Sequence, residues 1–131
     1  NRGALAALRC ESGVCEDYAA LFVALCRAEG IPARPVYGYT APQYREENRN
    51  IAPGTELPLK GCRHCWAGFY LEGLGWLPAD PTLNIYDSDY TYFASLPQAD
   101  RLAQNYADQS IWVRFQGGRL DVTWEEGLTG L

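Results

Sequence analysis

Apolar residues recur along the chain in two rhythms, and the change between them marks the elements. Over residues 15–29, Tyr18, Leu21, Phe22, Leu25 and Cys26 fall at the spacing of one helical face. Glu16 and Asp17 stand in the first turn and Arg27 near the end, which suits the helix dipole. Gly30 and Pro32 then stop the run. The pattern predicts a helix over 15–29 whose apolar stripe packs into a core.

Past that helix the rhythm shortens. Residues 33–39 predict a strand. Residues 64–71 predict another, with His64, Trp66 and Tyr70 on one face and Cys65, Phe69 and Leu71 on the other. Gly73-Leu74-Gly75 predicts a turn, residues 76–79 the return strand of a hairpin, and Asp80-Pro81 its end. Residues 40–60 are polar, carry Pro42, Pro53 and Pro58, and show no period. A loop of that length is either a lid or a surface excursion. Farther on, Pro97 is placed to open a short helix to about Ala107. Residues 110–116 and 119–124 predict a second hairpin around Gly117-Gly118. No repeat or linker interrupts the chain, so residues 1–131 are expected to form one domain.

Composition narrows the function classes. Apolar residues make up 47% and charged residues 21%, a globular balance rather than a disordered one. The net charge is −5, and the ten Arg and the single Lys60 are scattered. Without a basic stripe, nucleic acid is not an expected partner. No apolar run approaches the ~18 residues of a membrane span. The first residue is Asn1 rather than Met, which points to a mature or cut form with residues missing upstream. Cys10, Cys15, Cys26, Cys62 and Cys65 are an odd set. That favours a reducing, cytoplasmic setting over a disulfide framework, although pairs such as Cys10–Cys62 or Cys62–Cys65 remain conceivable.

Three residues carry candidate chemistry. Cys15 opens the predicted helix just after Gly13, where backbone N–H groups and the dipole stabilise a thiolate. Glu16 and Asp17 oppose that charge. His64, the only histidine, heads an alternating strand. Asp80 ends the return strand, so the hairpin brings it beside His64, where a carboxylate can orient the ring. Taken singly, a Cys before a helix, a His in an apolar strand and an Asp before Pro are ordinary structural residues. Together, their order along the chain gives a mechanical reason for distant side chains to meet.

The chain resembles the transglutaminase-like superfamily in an ordered set of segments. These are Gly13-Val-Cys15-Glu-Asp-Tyr-Ala19, Arg27-Ala-Glu-Gly-Ile-Pro-Ala-Arg34, Gly38-Tyr39, His64-Cys-Trp66 and Gly75-Trp-Leu-Pro-Ala-Asp80-Pro-Thr82. The resemblance implies an α+β, papain-like core in which a helix carrying the cysteine packs on an antiparallel sheet. It implies Cys15 as nucleophile, His64 as base and Asp80 as orienter, with Gly13, Tyr39 and Trp66 as substrate-binding positions. Many members stabilise the oxyanion with an upstream aromatic or amide side chain. None can be assigned among the residues before Cys15, which leaves the Cys15 N–H as the nominated donor. Cys65 departs from the small or apolar residue more usual there. Strand parity predicts that its thiol faces away from the site.

The implied activity is thiol-dependent acyl transfer on amide or peptide bonds. Hydrolysis as a peptidase or amidase is expected over transamidation, because it needs no second binding site. A peptide or protein substrate is the expected partner, and no cofactor or metal is required. Asp87 and Asp89 are too sparse for a calcium loop. Two rivals remain: an inactive binding module on the same fold, and a structural zinc site built from Cys10, Cys15, Cys62 and Cys65.

Overall fold

The computed structural model describes residues 2–40, 56–84, 92–96, 101–106 and 127–129. The predicted helix is α2 (Cys15–Ala28). Gly30 ends it at φ +76, a left-handed geometry that glycine adopts without strain. The Gly30 N–H bonds the Arg27 carbonyl at 3.1 Å, and the Ile31 N–H bonds that of Cys26 at 2.9 Å. These contacts satisfy the helix's last carbonyls.

The face that α2 buries differs from the predicted stripe. Ala19 and Val23 are buried, Phe22 and Cys26 flank the core, and Leu25 is 55% exposed. Small Ala19 lets the helix settle closely on the sheet, which rotates the bulkier Leu25 outward.

That sheet comprises β1 (Ala33–Thr40), β3 (Arg63–Leu71), β4 (Gly75–Ala79) and β5 (Arg101–Tyr106). Its order is β4-β3-β1-β5, and every neighbouring pair is antiparallel. With helices on its face, this is the expected α+β architecture. Ala33, Ala67, Phe69 and Ala79 form the core with Val23. Phe69 packs edge-on against Phe22 at 5.8 Å between centroids and stacks on Phe93 at 5.4 Å. Burying one such side chain contributes about 2–3 kcal/mol. Residues 67 and 69 therefore point toward α2, and residues 64 and 66 alternate to the opposite face of β3. There, Arg34 lies between the rings of Trp76 and Tyr106, 4.1 and 3.9 Å from their centroids.

Two elements differ from the sequence reading. Residues 101–106, expected within a helix opened by Pro97, form the edge strand β5. Pairing with β1 supplies backbone hydrogen bonds that outweigh local helix preference. A helix not foreseen, α1 (Ala4–Cys10), packs against α2. A short α3 (Pro81–Asn84) follows β4, while β2 (Glu56–Pro58) and β6 (Gly127–Thr129) pair separately. Most of the predicted 40–60 loop and all of the 110–124 hairpin lie outside the described residues.

Candidate active site

The hairpin delivers Asp80 as its register requires. Ladder pairing runs from Leu71↔Gly75 to Ala67↔Ala79, so the chain leaving β4 passes the beginning of β3. Asp80 has no exposed surface. Its N–H donates to the Tyr92 carbonyl at 2.8 Å. Its Oδ2 lies 2.6 Å from His64 Nε2 and accepts from Arg101 Nη2 at 2.9 Å, while Oδ1 accepts from the Thr82 N–H at 3.2 Å. Burial by itself pushes this carboxyl up. The bond and charge of His64, then those of Arg101, outweigh burial and hold it below the usual carboxylate range. With Nε2 engaged, Nδ1 is the ring nitrogen left for a reacting group. The ring also stacks on Trp66, 6.2 Å between centroids.

Cys15 occupies the first turn of α2, preceded by extended Val14 at φ −99. It shares a cavity of about 140 Å³ with His64, Glu16, Tyr37, Cys65 and Gln104. No hydrogen bond joins its thiol to the imidazole among the described residues. The thiol and the ring thus face one space without closing on each other.

The two acids after Cys15 have different surroundings. Asp17 turns back, and its Oδ1 accepts from the N–H groups of Arg2 and Gly3, both at 2.6 Å. Its Oδ2 accepts from Val14 N–H at 3.0 Å. These bonds, that of Val14 foremost, hold the Asp17 carboxyl below its ordinary range. Its charge is spent on the helix cap and N-terminal segment, so it opposes a thiolate less than its position suggests. Glu16, by contrast, lines the cavity.

Of the predicted substrate positions, Gly13 packs against Asp17, where an added Cβ would lie 2.8 Å from Asp17 Cβ. Buried Tyr39 clusters with Leu59 and Cys62. Buried Trp66 lines a second hollow of about 150 Å³ with Arg34, Trp76 and Tyr106. Neither Tyr39 nor Trp66 lines the Cys15 cavity. The expectation for Cys65 is overturned. Its thiol lies on the α2 side of β3 and reaches the cavity wall, because the head of α2 approaches from that side. Burial, with the Cys15, Glu16 and Asp80 charges, pushes it up to about 12.

The sequence profile of the transglutaminase-like superfamily matches residues 1–81, more than half of the chain. The chain belongs to the transglutaminase-like superfamily. It is 37% identical over 79 residues to an uncharacterized Haemophilus influenzae protein, covering 52% of this chain and 20% of that protein. It is 34% identical over 70 residues to the uncharacterized Bacillus subtilis protein YebA, covering 53% and 9%. It is 35% identical over 74 residues to a protein-glutamine gamma-glutamyltransferase of Pseudomonas aeruginosa, covering 56% and 10%. The chain therefore spans a fifth or less of the length of these relatives. No solved structure matches it.

Around these residues of the transglutaminase-like chain, two contacts escaped the sequence reading. Arg101 lies on the misassigned β5, and nothing local connects it to Asp80. Asp17 was visible only as a first-turn acid. All five cysteines are free thiols, so neither Cys10–Cys62 nor Cys62–Cys65 is bridged. Among the described residues no three His, Cys, Asp or Glu side chains gather as a metal would require. Cys10, Cys15, Cys62 and Cys65 thus do not form the tetrahedral set of the zinc rival. No helix among the described residues is long and apolar enough to cross a membrane.

Proposed function

We propose that the domain performs thiol-dependent acyl transfer on amide or peptide bonds, with Cys15 as nucleophile, His64 as proton carrier and Asp80 as orienter. The observation that carries this reading is the 2.6 Å contact between His64 Nε2 and buried Asp80, on a ring that shares a cavity with Cys15. His64 takes the thiol proton as Cys15 sulfur attacks the carbonyl carbon, and the developing oxyanion lies near the first-turn N–H groups of α2. The C–N bond breaks, His64 donates a proton to the departing amine, and a thioester remains. His64 then takes a proton from water as the water oxygen attacks the thioester carbonyl, the C–S bond breaks, and His64 returns the proton to the Cys15 sulfur as the acid leaves. Hydrolysis is the preferred outcome, as peptidase or amidase. An amine in place of water would give transamidation, the reaction named for the Pseudomonas aeruginosa relative.

The test is acylation by p-nitrophenyl acetate, followed by mass spectrometry of the intact chain. A burst of nitrophenol matching the protein concentration, with one acetyl group on Cys15, is expected. Cys15→Ala should abolish the burst, and His64→Ala should slow it by about a hundredfold or more. A burst unchanged in Cys15→Ala would remove the proposed nucleophile.

A further inference from the structure

Resting on the same reading of the site, we infer that Arg101 is a positioning residue that holds the Asp80 carboxylate ionised and aimed at the imidazole. Arg101 enters from β5, at the edge of the sheet opposite β4, the strand that Asp80 follows. Its guanidinium bonds Oδ2, the same oxygen that faces His64, at 2.9 Å. Its side chain is 7% exposed and that of Asp80 is 0% exposed. Setting two charges in such a place costs much of the attraction they recover, so fold stability alone explains the pair poorly. Its placement on the oxygen facing the ring accounts for it. Without the cation, His64 alone would oppose burial at a carboxyl with no contact to water, and the titration of Asp80 would move up toward the neutral form, which orients an imidazole weakly.

His64, when protonated, also sets positive charge against Asp80, but Arg101 is the partner whose charge persists at every working pH; the other described groups bonded to Asp80 are uncharged. Thr82 contributes a backbone N–H and Tyr92 a carbonyl together with a ring below Arg101. From α2 and β1, Cys15, Glu16 and Tyr37 face the cavity, and Arg63 and Cys65 do so from β3. Cys65 and Asp80 repel each other when both are ionised. Of the two arginines here, Arg63 and Arg101, it is Arg101 that bonds Asp80 among the described residues.

The experiment compares Arg101→Gln and Arg101→Lys with the parent. It follows the Asp80 carboxyl carbon by NMR across pH 2–8 and measures the burst rate with p-nitrophenyl acetate. In Arg101→Gln the Asp80 titration should move up by about one pH unit or more. The acid limb of the burst rate should move with it, and the plateau rate should fall about tenfold. Arg101→Lys keeps the charge and should restore both curves to within a few tenths of a unit. If Arg101→Gln does not fold, folded Arg101→Lys carries the test, and a large Asp80 shift there overturns the inference. So does an unmoved Asp80 titration in folded Arg101→Gln, whatever happens to the rate. The NMR titration does not depend on turnover. A parent without a burst defeats the functional reading alone, while an unmoved carboxyl defeats only the role of Arg101.

Discussion

Replacing Gly38 by alanine should destabilise the domain and disturb the site together. Gly38 pairs with His64 on one side and with Ala103 of β5 on the other, at the register irregularity of that pairing. A Cβ there would lie 2.0 Å from the Leu102 carbonyl oxygen, 2.9 Å from the Trp66 ring and 3.0 Å from Ala103 Cα. Carbon–oxygen contacts normally begin near ~3.3 Å, so β5 would have to retreat by more than about 1 Å. The obstructing oxygen and Cα are backbone atoms and cannot swing aside. Overpacking of this kind costs about 1–3 kcal/mol, and each ladder hydrogen bond lost adds about 1 kcal/mol. Together these give about 3 kcal/mol. With a urea slope of about 1.5 kcal/mol per molar, the unfolding midpoint should fall by about 2 M. Gly68→Ala in the same sheet is the control. There the nearest atom is 3.6 Å away, an ordinary contact, and stability should change by less than about 1 kcal/mol. Because β5 carries Arg101, Gly38→Ala should also slow the acetylation burst. A urea midpoint for Gly38→Ala equal to that of Gly68→Ala would refute the reasoning.

Other outcomes follow from the same contacts. Asp80→Ala leaves the Arg101 cation beside an emptied, buried position and should cost about 3 kcal/mol or more in urea unfolding. Because folding depresses the Asp17 carboxyl, its contribution is complete above the unfolded value near ~3.9 and disappears as pH falls through the lower folded value. Asp17→Asn should therefore melt below the parent at pH 7, with the gap closing in acid; a gap that persists at pH 2 contradicts the assignment. Cys65, with its thiol pushed up to about 12, should resist iodoacetamide at pH 8 until the protein unfolds. Exposed Cys10 should react in the folded state, and peptide mapping by mass spectrometry separates the two.

What the sequence made legible was local. The α2 helix carries its stop signal in Gly30, the β3–β4 hairpin its turn in Gly73 and Gly75, and both stand where periodicity placed them. The proximity of His64 and Asp80 followed from the hairpin, because antiparallel register is simple arithmetic. What remained hidden was non-local. The residues of β5, Arg-Leu-Ala-Gln-Asn-Tyr, lack alternation and include good helix formers. Only pairing with β1 makes them a strand, so Arg101 could not be placed beside Asp80. The α1 helix has no side-chain cap, and the segment before it is held by Asp17, fourteen residues beyond Gly3. Parity separated the two faces of β3 correctly, but it could not say from which side the head of α2 would arrive. That missing fact reversed the reading of Cys65.

The hold of Asp17 on the segment before α1 has a mechanical consequence. Two short hydrogen bonds tie Arg2 and Gly3 to a carboxylate two positions past Cys15. Tension applied to the N-terminal end would reach the first turn of α2 through them before it loaded the core. The surroundings of Cys15 would feel such a pull early, and the sheet would feel it late.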